Sequence, residues 1–254
     1  AIHQEVQLPL LQAIGLSGFS LLIYLVKAIA PLQLSGFHPL PEIGSNTLVL
    51  YCSLGYGFWL AILGVVWLAR KKRRVVFGLA IFLVCLLPVL QILTVGKALT
   101  AERYTYLSYL GLFFLFAIWA RRTFPSSLIG PAFKMRLSAK IMLTGTAFWM
   151  VALGFATFSR AAVWQNGDTF WSDVIDKYPN HYFAYGCRAE YWERAGQEAK
   201  TLADLKKSLN LNPGFAGGWN NLGRIYQKGK KLDSALAFYG NAIDADNAYV
   251  SAYI

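Results

Sequence analysis

Residues Leu48–Ala69, LVLYCSLGYGFWLAILGVVWLA, form an uncharged stretch that is long enough to cross a bilayer as a helix. A segment inside lipid must satisfy its own backbone hydrogen bonds, which favours a helix. The whole chain is 56% hydrophobic and 15% charged, with a mean hydropathy of +0.41, whereas about a quarter of the residues in soluble domains are charged. Further apolar segments lie at about Leu8–Ile29, Val75–Val95, Tyr104–Ala120 and Ile141–Phe158. The sequence therefore predicts an all-α protein whose residues 1–158 form a polytopic transmembrane domain of about five helices.

Basic residues are concentrated in the first part of the chain and set its predicted topology. The formal net charge is +11; residues 1–158 contain 13 Lys and Arg against three acidic residues, and residues 159–254 contain 11 against 10. Ten of the 13 lie in two short loops, which are expected to stay cytoplasmic. This places residues 30–46, 96–103 and 159–254 on the periplasmic or lumenal side. The charge thus requires no nucleic acid, although the first cluster, Arg70–Arg74, also suits anionic lipid.

The segment Lys97–Gly111, KALTAERYTYLSYLG, lies where a membrane–water boundary is predicted, with the pair Glu102-Arg103 beside Tyr104. Ionisable groups near a bilayer are costly to bury and are functional candidates for that reason. The alternative is that Arg103 extends to the interface while the tyrosines form an aromatic belt. Local sequence favours neither interpretation over the other.

A 34-residue period follows Phe158 and predicts tetratricopeptide repeats over residues 159–254. Pairs at this spacing include Pro179 with Pro213 and Tyr185 with Trp219. The large and small positions of the repeat are assigned to Tyr185, Ala189, Gly196, Pro213, Trp219, Leu222, Gly223, Tyr226, Ala235 and Ala242. Such repeats offer a concave groove for a protein partner, or they act as a rigid spacer.

The repeats depart from the pattern at several positions. Thr201 and Ser208 stand where alanines are usual, Asn247 replaces a proline, and Gly229 falls one place earlier than Gly196 does. A helix over Asp168–Tyr178 is expected to join the last span to the first repeat, with Trp164 and Trp171 as packing anchors. A third helix pair would begin near Val250, so the repeat domain is expected to be truncated at its C-terminus, and the chain is expected to begin partway through a longer protein.

The order of these parts resembles the transmembrane and tetratricopeptide repeat O-mannosyltransferases and their bacterial relatives, which are GT-C type membrane glycosyltransferases. The resemblance is carried by Ala101–Gly111, AERYTYLSYLG, by Pro31–Ser35, and by the arrangement of spans, basic loop, tryptophans and repeats. It covers the C-terminal part of the family's membrane domain and the first repeats. This chain departs from the family motif at Glu102, where Asp is usual, and at Ser108, where Pro is common.

The resemblance implies transfer of a mannose-like sugar from a dolichyl or undecaprenyl phosphate carrier to a protein hydroxyl. Arg103 would bind the carrier phosphate through two charge-assisted hydrogen bonds, with Glu102 holding it in place. Lys97 would add a second positive charge, or would only extend to the interface. The family's catalytic carboxylate is expected upstream of this chain, so the chain alone is expected to be inactive. His38 and Glu42 lie in a predicted non-cytoplasmic loop, where such residues are more often merely solvated.

Other functional sites find little support in the sequence. The three cysteines and three histidines show no disulfide or metal-ligand spacing, so neither a metal nor a cofactor beyond the lipid-linked donor is predicted. Two alternatives to the transferase remain. One is a non-catalytic, membrane-anchored repeat scaffold for envelope assembly, and the other is a ligase or polymerase that acts on a polyprenyl-pyrophosphate glycan. The predicted partners are membrane lipid, a lipid-linked sugar and a protein acceptor.

Overall fold

A computed structural model describes residues 8–31, 34–41, 44–90, 98–100, 105–123 and 137–249. Within these residues the chain is almost entirely helical, which confirms the all-α prediction, and it adds one short antiparallel pair of strands. The helices are α1 (Leu10–Ile29), α2 (Asn46–Ala69), α3 (Arg73–Leu86), α4 (Thr105–Thr123), α5 (Leu137–Ala161), α6 (Gly167–Lys177), α7 (Tyr182–Arg194), α8 (Glu198–Leu211), α9 (Ala216–Lys228) and α10 (Leu232–Ala245); the strands are β1 (His38–Pro39) and β2 (Ala98–Thr100). Short 3-10 helices cover Leu87–Val89 and Ala162–Trp164. The chain forms two compact units, one ending at Phe158 and the other beginning at Ser159.

Three helices in the described part of the chain are long and apolar enough to cross a membrane, namely Leu10–Ile29, Asn46–Ala69 and Leu143–Trp164. The sequence had predicted five spans. Helix α3 has only 14 residues and ends at Leu86, because Pro88 has no N–H to continue the helical ladder. Helix α4 has 19 residues, but its final turn contains Arg121 and Arg122 and its first turn is polar. Helix α3 therefore ends before Val95, the predicted end of that span, whereas α4 continues past Ala120 to Thr123.

Glycines allow the helices of the first unit to approach closely. A Cβ atom on Gly55 of α2 would overlap the carbonyl oxygen of Gly15 in α1, and one on Gly18 would overlap the oxygen of Gly55. Helices α3 and α4 meet similarly, since a Cβ on Gly111 would overlap the oxygen of Gly78. Small interfacial residues drive helix association where lipid supplies no hydrophobic force. The α1–α2 and α3–α4 pairs are therefore the closely packed helix pairs described in the first unit.

Helix boundaries in the second unit recur with the period predicted from the sequence. Helix α9 begins and ends one repeat period after α7, and α10 begins and ends one period after α8. Helix α6 ends one period before α8, which gives it the place of the second helix in a preceding pair, and it matches the predicted helix over Asp168–Tyr178 within one residue. Trp164 and Trp171 both contact Phe170, with ring centroids 4.9 and 5.0 Å apart. The helices of the second unit thus recur along the chain with the same period as the sequence repeat.

Hydrogen bonds around the helix ends repeat with the same spacing. The Tyr185 hydroxyl donates to the carbonyl oxygen of Pro179 at 3.1 Å, and the Trp219 indole donates to that of Pro213 at 2.8 Å. Asn247 does not break the pattern, because the Asp246 carboxylate accepts from the Ala248 N–H at 3.0 Å, as Asn212 accepts from Gly214. Different side chains thus close equivalent turns.

The small and large positions assigned from the sequence pack as expected of a helical hairpin. Ala189, Leu222, Ala235 and Ala242 are buried, and a Cβ on Gly223 would lie 2.6 Å from the ring of Tyr239. Trp219 and Tyr226 both pack against Phe238. The tetratricopeptide assignment itself stays a prediction.

The two polar departures from the repeat are buried and hydrogen-bonded. The Thr201 hydroxyl donates to the carbonyl oxygen of Gln197 at 2.9 Å, and the Ser208 hydroxyl donates to that of Tyr182 at 2.8 Å. A buried hydroxyl with a partner costs little, and a small side chain still lets the helices approach. These residues therefore replace alanine without opening the helix packing.

Candidate functional site

The residues predicted to bind the carrier phosphate, Lys97, Glu102 and Arg103, lie outside the described residues, as does Glu42. The structure describes the chain on both sides of Glu102 and Arg103. Strand β2 precedes them and helix α4 follows them. The candidate site is therefore built from the surroundings of β2.

Strand β2 is fixed inside the first unit. It pairs with β1 so that Thr100 lies opposite His38. The Leu99 side chain is 4% exposed and packs with Leu16 and Leu48, and its carbonyl oxygen accepts a hydrogen bond from the Ser20 hydroxyl at 3.2 Å. A strand of three residues is thus held by its partner strand, by an apolar cluster and by α1.

A lysine and a histidine meet beside this strand pair. The Lys27 Nζ, in the last turn of α1, lies 2.7 Å from the His38 Nε2. An ammonium group can only donate, so the His38 Nε2 accepts in this contact. Both side chains are half-buried. The expectation that His38 is merely solvated was wrong, because strand pairing draws it against α1.

Thr100 adds a hydroxyl to this cluster. The residue is 2% exposed, and its Oγ1 has no hydrogen-bond partner among the described residues. Directly opposed residues of an antiparallel pair project from the same face of a sheet, so Thr100 and His38 share one face. The strand pair thus places a residue with a buried hydroxyl opposite the histidine that contacts Lys27, and we call Lys27, His38 and Thr100 the Lys27 cluster.

The predicted boundary tyrosines have different surroundings. The Tyr109 hydroxyl donates to the carbonyl oxygen of Tyr24 in α1 at 2.8 Å, whereas Tyr106 is 81% exposed. Ser108 is fully buried. Tyr109 therefore fixes α4 to α1, and of these two tyrosines Tyr106 has the exposure expected of an aromatic belt.

Two ion-pair networks in the second unit were not predicted. Arg188 of α7 binds both carboxylate oxygens of Asp204 in α8, at 2.7 and 2.8 Å, and Asp204 is 7% exposed. Glu193 of α7 accepts hydrogen bonds from Arg224 and Lys228 of α9. None of these pairs joins like positions of the repeat, so the period of the sequence could not reveal them. They connect α7 with α8 and α9, and their role is structural.

Burial and ion pairing act in opposite directions on these acidic groups. Burial alone would raise the pKa of Glu193, but hydrogen bonds from Arg224 and Lys228 outweigh it and hold the pKa below its usual range. Asp173 shows the same balance: burial would raise its pKa, and the hydrogen bonds from Arg160 and Lys177 lower it. Both carboxylates are thus ionised at neutral pH and act as fixed charges.

Metal binding has no candidate in the described part of the chain, where no three His, Cys, Asp or Glu side chains come together. No protein-family model matches this chain, and no curated protein sequence is significantly similar to it. The chemistry of the residues is therefore the basis for any functional assignment.

Proposed function

We propose that this chain is part of an integral-membrane glycosyltransferase that moves a sugar from a polyprenyl-phosphate carrier to a protein hydroxyl on the periplasmic or lumenal side. The observation that carries the proposal is the Lys27 cluster. It places an ammonium and two hydrogen-bonding side chains around the strand that directly precedes Glu102 and Arg103. A helical membrane unit with polar donors beside the strand that precedes this motif in the sequence suits a lipid-linked anion as substrate.

Arg103 is proposed to bind the departing carrier phosphate and to offset its negative charge, with Glu102 orienting the guanidinium. A guanidinium matches two phosphate oxygens at once, and each charge-assisted hydrogen bond contributes about 1.5–3 kcal/mol. The acceptor proton would be taken by a carboxylate, as the resemblance implies. Lys97 would supply further positive charge.

The test is sugar transfer from a polyprenyl-phosphate sugar to a protein acceptor, measured with the full-length protein in membranes. Arg103→Ala is expected to lower kcat by at least about 100-fold, since it removes two charge-assisted hydrogen bonds to the leaving group. Arg103→Lys should restore only part of the rate, because an ammonium cannot form the paired contact. The matched control is Arg121→Ala, at an exposed position in the last turn of α4. Unchanged transfer by Arg103→Ala at normal expression would refute the proposed role.

A second candidate function, a membrane-anchored scaffold, is favoured by the repeat period of the backbone. We propose that α7 to α10 are two tetratricopeptide repeats and that they bind a protein acceptor or an assembly partner. The same Arg103→Ala protein separates the two functions. A scaffold would still capture its partner and would show no sugar transfer in either form, whereas a transferase would lose transfer and keep the partner.

A further inference from the structure

We propose that the turn between α2 and α3, together with the end of α4, forms a surface that binds the headgroups of anionic phospholipids such as phosphatidylglycerol. This interaction does not depend on the transferase function. Its evidence begins with exposed cationic side chains at one end of the first unit, which we call the basic end: Arg70, Lys71, Lys72, Arg73, Arg74, Arg121 and Arg122.

The positive charge of the basic end meets no acidic partner in the described part of the first unit. The described residues between 8 and 158 include no Asp and no Glu, so no carboxylate among them can pair with these side chains. The Arg70 guanidinium lies 4.9 Å from the centroid of the Trp67 ring, an attraction that leaves its charge in place. An anionic ligand would therefore face no competing carboxylate from these residues.

The packing of α3 against α4 brings the two basic segments to the same end of the unit. A Cβ atom on Gly78 would lie 2.7 Å from the Leu115 side chain, and one on Gly111 would lie 2.8 Å from the Phe82 nitrogen. A later residue of α3 thus meets an earlier residue of α4, so the two helices run antiparallel. The first turn of α3 and the last turn of α4, which contains Arg121 and Arg122, therefore lie at the same end of the pair.

The first turn of α3 carries cations where a helix favours anions. Arg73 and Arg74 lie in this turn, which contains no acidic residue, and the Lys72 side chain forms no capping hydrogen bond. The start of a helix has a partial positive charge, so two cations there are unfavourable unless an anion joins them. Membrane topology accounts for basic residues near a span, but it does not require them in the first turn of a helix. An anion bound at the basic end would offset both sources of positive charge.

Apolar side chains beside the basic end favour a lipid over a soluble anion. Helix α2 is long and apolar enough to cross a membrane, and it ends at Ala69, directly before the first cation. Trp67 and Leu68 in its last turn are 61% and 72% exposed, and Phe77 in α3 is 57% exposed. A phosphate at the basic end would place attached acyl chains next to this apolar surface. Clusters of four to eight Lys and Arg beside a membrane span are typical of sites for anionic lipid.

The test measures binding of phosphatidylglycerol to the full chain in micelles of a non-ionic detergent by native mass spectrometry. Phosphatidylcholine with the same acyl chains, inorganic phosphate and a single-stranded oligonucleotide are the comparison ligands. The double variant Arg73→Gln with Arg74→Gln removes two charges from the start of α3. Its matched control is Lys206→Gln with Lys207→Gln, which removes the same charge from exposed positions in α8.

We expect the wild type to bind phosphatidylglycerol at least about 25-fold more tightly than phosphatidylcholine, and the Arg73 and Arg74 double variant to lose about 25-fold of that preference. This value assigns about fivefold to each cationic side chain near an anionic headgroup. The control should keep the preference of the wild type, because its lysines lie in the second unit.

The single variant Arg73→Glu separates a binding role from a structural one. Without phosphatidylglycerol it should melt at the same or a higher temperature than the wild type, because a carboxylate is favourable at the start of a helix. Added phosphatidylglycerol should raise the melting temperature of the wild type more than that of Arg73→Glu, because the variant binds the lipid less tightly. A lower melting temperature for the lipid-free variant would indicate that Arg73 serves the fold and would overturn its assignment to the lipid site.

An unchanged preference for phosphatidylglycerol in the Arg73 and Arg74 double variant would overturn the proposal. So would an equal loss in the Lys206 and Lys207 control, which would indicate an effect of net charge alone. Displacement of phosphatidylglycerol by an equal concentration of inorganic phosphate would indicate a free-phosphate site instead. Tighter binding of the oligonucleotide than of phosphatidylglycerol would indicate a nucleic-acid surface, and it would likewise refute the assignment to lipid.

Discussion

Replacing Lys230 by glycine is expected to stabilise the second unit. Lys230 has a φ of 57°, in the left-handed region, and it is the only non-glycine residue with positive φ among those described. Gly196, one repeat period earlier, has a φ of 71° in the equivalent turn. The backbone thus requires the glycine conformation at both positions, although the sequence supplies glycine one residue early, at Gly229.

The size of the effect follows from two opposing contributions. A non-glycine residue in the left-handed region costs about 1–2 kcal/mol. Glycine loses more backbone entropy on folding, by about 0.5–1 kcal/mol. The Lys230 side chain is exposed, and its N–H bond to the Gln227 carbonyl oxygen at 2.9 Å would be kept. The expected net gain for Lys230→Gly is therefore about 0.5–1 kcal/mol.

Two further variants complete the test. Gly229 has a φ of −76°, and a Cβ there would meet only ordinary contacts at 3.5 Å, so Gly229→Ala should add about 0.4–1 kcal/mol. A Cβ on Gly196 would meet no atom within 4 Å, so Gly196→Ala isolates backbone strain and should destabilise by about 1 kcal/mol. Steric clashes contribute to neither result.

The assay is urea unfolding of the full chain in detergent, followed by tryptophan fluorescence, since Trp192 and Trp219 lie in the helices that precede these two turns. With a slope of about 1–2 kcal/mol/M, Lys230→Gly should raise the midpoint by about 0.3–1 M, and Gly196→Ala should lower it by a similar amount. A lower midpoint for Lys230→Gly would refute the argument from backbone strain. A higher midpoint for Gly196→Ala would show that the two turns are not equivalent.

Three further predictions concern packing and charge. Gly55→Ala should lower the melting temperature of the detergent-solubilised protein, because the added Cβ would overlap a backbone oxygen. Gly64→Ala is the control and should leave the melting temperature unchanged, because a Cβ there would meet no atom within 4 Å. Equal melting temperatures for the two variants would contradict the close helix contact. Asp204→Asn should lower the free energy of unfolding, measured in urea, by about 2–4 kcal/mol, because it leaves the Arg188 charge unpaired. Adding Arg188→Met should recover much of that loss. No recovery in the double variant would contradict the ion-pair explanation. The pKa of Glu193 is depressed from 4.5, so its stabilising contribution is present above about pH 4.5 and is lost as the pH falls through the lower folded-state value. Acid unfolding of Glu193→Gln should therefore be less steep below that pH, and an unchanged profile would exclude this contribution.

The helix boundaries of the second unit recur at the spacing of the sequence repeat, because each contact that sets the repeat recurs at a fixed spacing. The first unit was harder to predict. Gly15 and Gly55 define the α1–α2 contact, but nothing in either segment shows which glycine meets which. Lys27 and His38 likewise become neighbours only through the strand pairing of residues far apart in the chain. The end of α3 could have been predicted from Pro88, which cannot continue the helical hydrogen bonds. Hydrophobicity alone does not show this end, because the apolar stretch continues beyond Pro88 to Val95.

Buried threonines illustrate how local geometry decides whether a hydroxyl finds a hydrogen-bond partner in its own backbone. Thr201 lies in a helix, where its hydroxyl reaches the carbonyl oxygen four residues earlier. Thr100 lies in a strand, where extended backbone carries the preceding carbonyl oxygens away from the side chain. A valine of the same shape would fill the position without leaving a polar atom unsatisfied, which is worth about 1–3 kcal/mol. The hydroxyl of Thr201 is therefore explained by a hydrogen bond within its own helix, whereas no hydrogen bond among the described residues explains that of Thr100.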